Sequence, residues 1–351
     1  VEVVCDGKPQ GGSVSFRPYR ITSKLTKEET ARIDAGTVAR GVGSCVHCKQ
    51  GIDGAEIKAQ ARGESPRGKW RDVLYTVAAV RFEPKLDKHG KPETYGSGAR
   101  KGEIKTRKVR FFRAPNDRDQ QALHDAEAEL QRRWDAWDRE GLIPSEKIPK
   151  GSKTSEPTRY GMERWCDMFT PRQLLGHLHA IDCLNHMKSD IRAQFGEEKT
   201  RALITYIQFA IDKCVDYNSR QTRWHYGRGV MVGTFGRHDF SLKWTFGEMV
   251  FAGPGTGLSW GLSQVIDAYH GIAELSVGKD TGDPDVDIVN GTAGSMRSVS
   301  DKTVDLICMD PPYYDNVQYS ELSDFYYCWQ KRTLARRPLR SLFFQIYRQS
   351  Q

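Results

Sequence analysis

The sequence predicts an α/β chain in three parts, and three observations predict it. Residues 1–113 mix short β-like runs with turns and hold one CxxC pair, Cys45 and Cys48. Residues 114–278 carry apolar residues at helical spacing. Residues 279–351 return to short, continuous apolar runs, as in strands buried on both faces of a parallel sheet.

The elements follow in order. WRDVLYTVAAVRF (70–82) and KVRFFR (108–113) read as strands, rich in β-branched and aromatic residues. Between Glu83 and Arg113 ten Lys/Arg face four Asp/Glu, a local +6 within a total of +8. A basic, Gly-containing hairpin on a nearly neutral body fits a polyanion partner; a solvated loop with spare lysines is the alternative. Asp117–Glu140 is a charged helix with Leu123, Ala126, Leu130, Trp134 and Trp137 on one face. Gly141–Pro157, with three prolines, reads as a linker. Thr170-Pro171 is a helix start, Thr as N-cap and Pro at the first helical position. Leu174, Leu178, Ile181, Leu184, Met187 and Ile191 then recur at helical spacing until Gly196. Leu203, Ile204, Ile207, Ala210, Ile211, Cys214 and Val215 continue on the far side. Leu258–Leu275 is a third helix, with Leu262, Val265, Ile266, Tyr269 and Ile272 as its stripe. All three stripes are expected in the core. Finally, Val286–Val289 and Val304–Met309 read as two buried strands.

No apolar run approaches the roughly 20 residues needed to cross a bilayer, and mean hydropathy is −0.63, so no membrane span is expected. Val1–Gly12 lacks a basic head followed by an apolar stretch, so no secretory signal is expected. The start at Val1 rather than Met suggests a fragment or a processed product. Eight cysteines, mostly scattered, fit a reducing, cytoplasmic setting rather than a disulfide scaffold.

The most specific signal is Asp310-Pro311-Pro312-Tyr313, directly after the second apolar run. In open α/β sheets, ligands sit at the carboxyl ends of strands. Two prolines fix φ and remove two backbone donors, so the loop is rigid and its carbonyls stay available. It presents an acid, a carbonyl and an aromatic face, a set suited to an exocyclic amine on a flat base. Asp310 and the Pro311 carbonyl accept the two amine hydrogens, and Tyr313 stacks on the ring. Aiming the amine nitrogen at a methyl donor, and stabilising the positive charge that develops there, is then a matter of preorganisation. A proline turn with a surface Asp is the structural alternative.

This loop looks like that of amino-methyltransferases acting on DNA. The longer stretch DPPYYDNVQYSELSDFYYCWQKRTL (310–334) resembles the zinc-ribbon-containing adenine-specific DNA methylases. GTVARGVGSCVHCK (36–49), EGLIPSEKIPKGSKTSEPTRYGMERWCDMFTPRQLL (140–175), DYNSRQTRWH (216–225) and FGRHDFSLKW (235–244) are similar in the same order. The resemblance implies a partial Rossmann-like methyltransferase sheet at the C-terminal end. A zinc-ribbon-like α+β region and a helical insertion, with a target-recognition role for 114–278, would precede it. It implies transfer of a methyl from S-adenosylmethionine to adenine N6 of a base flipped out of DNA. Tyr314, Asp315 and Asn316 are helpers without an assigned role.

The family's donor-binding loop, of Asp-Pro-Phe-x-Gly-x-Gly type, does not occur in the sequence, so Val1 is expected to lie inside the family's long insertion. Phe251–Gly257 imitates that loop by letter, but no buried strand precedes it and a Gly-rich helix start accounts for it. The resemblance places Thr292 and Ala293 near the cofactor adenine; an ordinary turn is the alternative. Cys45 and Cys48 are half of a zinc ribbon, with His47 as a third candidate, because zinc takes four ligands. Asp216–Trp244 interleaves Arg220, Arg223, Trp224, Arg237 and Lys243, a pattern for phosphate contact and base stacking; core tryptophans with solvated arginines are the alternative. Two rival functions stand beside the favoured one. One is the same chemistry on an RNA base or a protein amide, and the other is a nucleic-acid-binding module without activity.

Overall fold

The computed structural model describes residues 2–5, 14–17, 25–34, 36–39, 41–225, 227–276, 292, 294–297, 299–311, 313 and 316–335. It is a mixed α/β structure of small antiparallel sheets and several helices, in two compact units, Val1–Ala126 and Glu127–Gln351. No helix among the described residues is long and apolar enough to cross a membrane.

The first unit opens on the antiparallel pair β1 (Glu2–Cys5) and β2 (Val14–Arg17). Helix α1 (Lys27–Asp34) leads to a three-stranded sheet of β3 (Val38–Ala39), β4 (Val42–Ser44) and β5 (Gly51–Ile52). Helix α2 (Gly54–Arg62) starts at Asp53, whose carboxylate accepts from the Ala55 amide at 2.6 Å. It ends at Gly63, whose φ of 75° is open to glycine at no steric cost. The predicted strands around the basic segment form a ribbon of β6 (Val77–Pro84) and β7 (Thr106–Arg113), in register from Val77↔Arg113 to Pro84↔Thr106.

Helix α3 (Asp117–Arg139) begins in the first unit and ends in the second. Its Leu130 and Trp137 are buried as the stripe requires, and the Trp137 indole donates to Asp182 at 3.2 Å. After the short α4 (Ser155–Arg159) comes α5 (Pro171–Tyr217). Its start is as predicted: Thr170 caps, Gln173 completes a capping box, and Pro171 opens the helix. Gly196, at φ 76° and ψ 172°, breaks the helical path where the sequence places the break. Leu174, Leu178, Ile181 and Leu184 on one side of the break, and Ile204, Ile211 and Val215 on the other, are buried. The hairpin β8 (Arg223–His225) with β9 (Val230–Val232), the two-residue β10 (Ala252–Gly253), α6 (Gly257–Ser276) and α7 (Tyr319–Leu334) complete the unit. Phe325 and Trp329 of α7 are fully buried among Trp165, Phe169 and α5.

Three expectations change. Residues 141–157 are not a free linker: Leu142, Ile143 and Ile148 are core residues. Composition rich in turn formers hides three apolar anchors, and Arg332 of α7 binds the backbone carbonyls of two of them, Leu142 and Ile143. Its guanidinium donates to the carbonyls of Leu142 (2.7 Å), Ile143 and Cys328 and to both Glu146 oxygens at 2.9 and 3.0 Å.

The α6 stripe is also not core: Leu262, Ile266, Tyr269, Ile272 and Leu275 are exposed. The closest approach of α6 to α5 is at its small residue, Gly261, with Trp260 and Tyr269 edge-on to Tyr217 and Tyr206 of α5. A Cβ on Gly261 would stand 2.6 Å from the Ala210 carbonyl oxygen and 3.3 Å from the Cys214 sulfur. Helical propensity alone favours alanine over glycine by about 1 kcal/mol. Close approach of two helix backbones reverses the sign, so Gly261→Ala is expected to destabilise the protein by about 1–3 kcal/mol. A lowered urea midpoint at unchanged m-value checks this.

The third change concerns the expected Rossmann-like sheet. Val304–Met309 is irregular, without a ladder partner among the described residues, and Leu306, Ile307 and Met309 are 83, 63 and 74% exposed. An apolar run becomes a strand only where a neighbour supplies its hydrogen bonds. Val286–Val289, the other expected strand, lies outside the described residues. The sheets that are described are antiparallel, and no Rossmann-like parallel sheet occurs among the described residues.

Candidate functional site

Asp310, Pro311 and Tyr313 lie on the exposed stretch that leads into α7, with Tyr313 at 62% exposure. Pro312 lies outside the described residues. The Tyr313 carbonyl accepts from the Asn316 amide at 2.8 Å, a tight turn, and the chain then enters α7 at Tyr319. The far part of α7 is buried, so the loop is hung from the aromatic core. Thr292 heads a second turn. Its carbonyl accepts from Ser295 at 3.0 Å and its hydroxyl from Gly294 at 3.2 Å. Ala293 lies outside the described residues. Those bonds are the ones an ordinary turn makes.

The Cys45–Cys48 pair forms a tight knuckle between β4 and β5. The Cys45 carbonyl accepts from Lys49 at 2.9 Å, and the Cys45 amide donates to Gln50 at 2.9 Å. Hydrogen bonds from the Cys48 and His47 amides hold the Cys45 thiol below the usual range, which favours thiolate. Lys49 closes the turn at φ 62°. The buried Nδ1 of His47 has no hydrogen-bond partner. Two thiolates and one imidazole on a single turn fall short of a closed tetrahedral site, and no group of three or more His, Cys, Asp or Glu suited to a metal occurs among the described residues.

In the Asp216–Trp244 segment the structure separates the candidates. Arg223 and Arg237 lie near enough to Lys243 to act on its charge, and Trp244 is exposed. Burial pushes the Lys243 ammonium below its ordinary value; nearby Asp239 opposes the shift, while Arg237 and Arg223 add to it. Arg237 also pairs with Asp239 at 3.5 Å. Arg220 instead turns inward, donating to the Phe169 carbonyl at 3.4 Å with its guanidinium over Phe246. Trp224, next to Arg223 on β8, is half-buried.

Three polar features escape a reading by motif. Glu321, in the first turn of α7, accepts the amides of Ser152 (2.9 Å), Lys153 (2.7 Å) and Thr154 (3.0 Å). Burial pushes its carboxyl up, but those three bonds outweigh burial and hold it below the usual range. Asp212 accepts from Gln208 and Gln330, each at 2.7 Å, and burial raises its carboxyl to about 6 against those bonds. His177 is fully buried, with Phe169, Phe251 and Trp329 edge-on around it, and donates through Nε2 to the Asn218 carbonyl at 3.0 Å. Each pairs residues far apart in the chain: Glu321 with 152–154, Asp212 with Gln330, and His177 with Asn218.

Burial lowers His177 to about 4, and the Asn218 bond only partly opposes it. An imidazole whose folded pKa lies below its unfolded value of about 6.5 stabilises fully above 6.5 and stops doing so as pH falls through 4. Asp212 runs the other way, its contribution present below about 4 and lost as pH rises through 6. The net slope is therefore flattened, and a difference measurement is needed. Between pH 6.5 and 4 the wild type is expected to lose about 3 kcal/mol more than His177→Gln, which keeps a side-chain donor. Urea midpoints at steps across that range read it directly.

Comparisons of the chain with protein-family models, with curated proteins and with solved structures return no match.

Proposed function

We propose that this chain is part of an S-adenosylmethionine-dependent DNA methyltransferase acting on adenine N6. The observation that carries the reading is the Asp310–Tyr313 loop. An exposed carboxylate and an exposed aromatic ring stand within four residues of each other, separated by two prolines, on a segment fixed to the core through α7. Asp310 and the Pro311 carbonyl take the two hydrogens of the amine, which turns its nitrogen outward, and Tyr313 covers the ring. S-adenosylmethionine supplies the electrophilic methyl when bound. No step is assigned to Thr292. Arg223, Arg237 and Lys243 supply positive charge for phosphate contact.

A screen with labelled S-adenosylmethionine against DNA, RNA and protein tests the reading in the intact protein. Label in adenine N6 of DNA supports it. Label confined to RNA or to protein amides replaces the acceptor, and no label on any of them leaves nucleic-acid binding without activity as the function.

A further inference from the structure

The β6–β7 ribbon does not end in a single turn; beyond its last strand pair the chain forks. Glu93 closes the base of the fork. Its amide donates to the Lys85 carbonyl at 2.7 Å, and its carbonyl accepts from the Lys105 amide at 2.8 Å. Its carboxylate reaches the ammonium groups of the same two lysines, at 3.0 and 3.4 Å. Two short turns leave that base. In the first, Asp87 donates to the Lys91 carbonyl at 2.8 Å and Gly90 takes a φ of 79°, open to glycine at no steric cost. In the second, Tyr95 donates to the Glu103 carbonyl at 3.0 Å and the chain reverses where Lys101 donates to Gly98 at 3.1 Å. All four acids of residues 83–105 are engaged within the ribbon. Glu83 pairs with Arg81 at 2.6 Å and Arg107 at 3.2 Å, Glu93 with the two lysines at the base, and Glu103 with Arg100 at 2.7 Å. Asp87 accepts the amides of His89 and Lys91 at 2.8 and 2.9 Å. Lys88 and Lys91 on the first turn and Lys101 on the second are exposed, with no acidic partner among the described residues.

We infer that the two turns of this fork hold the phosphates of duplex DNA through Lys88, Lys91 and Lys101. Charge complementarity selects a polyanion. An ammonium group is a compact point charge, suited to a phosphate oxygen and carrying no base readout of its own. The tyrosine of the fork, Tyr95, is not offered to a base: the Arg100 guanidinium lies over its ring at 4.4 Å and the Lys105 ammonium at 5.8 Å. A polymer held by charge without stacking is selected by its phosphate density, and a duplex carries a charge every ~1.7 Å of its axis, twice that of one strand. Joining both turns at Glu93 brings the three cations to one end of the ribbon, so a single backbone meets them together. The inference rests on the nucleic-acid part of the proposed function and adds which element grips the duplex, and that it does so without reading sequence.

The test is fluorescence anisotropy of a labelled DNA oligonucleotide, as duplex and as single strand, with the full chain over a range of salt concentrations. Lys88→Gln, Lys91→Gln and Lys101→Gln combined are expected to weaken duplex binding, most at low salt. They are expected to reduce the log–log salt slope by about 2.7, at about 0.9 per lost phosphate contact. Lys27→Gln, Lys69→Gln and Lys199→Gln combined remove the same charge from exposed positions elsewhere and are expected to change the slope by less than about 1. Two duplexes of unrelated sequence are expected to give the same result. Circular dichroism and melting temperature confirm that both triple variants are folded. An equal fall in slope from the two triples would reduce the effect to net charge and overturn the site. An unchanged slope in the first triple, or no duplex binding by the wild type, would make the fork a solvated loop. Single strand bound more tightly than duplex would overturn the choice of partner. Binding is read without cofactor or methyl transfer, so this result and that of the labelling screen fail independently.

Discussion

In the intact protein, Asp310→Ala is expected to slow methyl transfer by about two orders of magnitude or more, the scale of losing one preorganised polar group at a reacting centre. The carboxylate is at the surface, so its removal leaves no buried partner unsatisfied, and thermal stability should stay near that of the wild type. Affinity for S-adenosylmethionine should change little, because the role assigned to Asp310 is toward the amine and not the donor. Tyr313→Ala is expected to act on capture of the base instead. A stacking face is worth about 1–3 kcal/mol per base, so base binding weakens while Tyr313→Phe and Tyr313→Trp keep much of the activity. Single-turnover methylation, cofactor affinity and melting temperature measured on the same variants separate these roles. A well-folded Asp310→Ala protein that methylates nearly as fast as its parent would remove the catalytic assignment.

The second large effect is on stability. Arg332→Ala is expected to destabilise the second unit by about 3–5 kcal/mol, the cost of breaking a buried ion pair from one side. The side chain is 2% exposed and its partner Glu146 19% exposed, so solvent does not replace what is lost. The carbonyls of Leu142 and Ile143 lose their donor in the same step. Lys331 still reaches Glu146 at 2.6 Å, which tempers the charge left behind but does not reach those carbonyls. Arg332→Lys should therefore remain much closer to alanine than to wild type, since an ammonium cannot serve the same fork of acceptors. Chemical denaturation with the midpoint read at constant m-value measures both. If the alanine variant unfolds within about 1 kcal/mol of wild type, the 141–148 segment is held by its apolar anchors and not by the arginine.

These two residues also mark how far the sequence could be read. The reading of Asp310 is local, and remains a proposal: an acid, two prolines and an aromatic in four consecutive residues need no knowledge of what else is nearby. Arg332 was not legible. It sits 190 residues from Leu142, and nothing in a Lys-Arg pair near a helix end announces burial. The same holds for Glu321 and the amides of 152–154, and for Gln330 and Asp212. Each is an ordinary polar residue until its partner arrives from a distant stretch.

Local physical chemistry therefore determined from sequence the start of α5 at Thr170-Pro171, its break at Gly196, the α3 stripe and the two strands of the basic ribbon. Capping geometry, left-handed glycine and short-range periodicity depend on residues a few positions apart. Tertiary structure alone decided which apolar residues are core. The α6 stripe has sound helical spacing and is nonetheless exposed at Leu262, Ile266, Tyr269, Ile272 and Leu275, because spacing does not say how much of a stripe a neighbouring helix covers. Val304–Met309 is apolar enough for a buried strand and is coil among the described residues, because a ladder needs a neighbour that hydropathy does not supply. Register likewise lay beyond the sequence. Pairing Phe82 with Lys108 rather than with a residue one position away puts Glu83, Arg81 and Arg107 on one face of the ribbon, where they pair, since a one-residue slip moves every side chain to the other side.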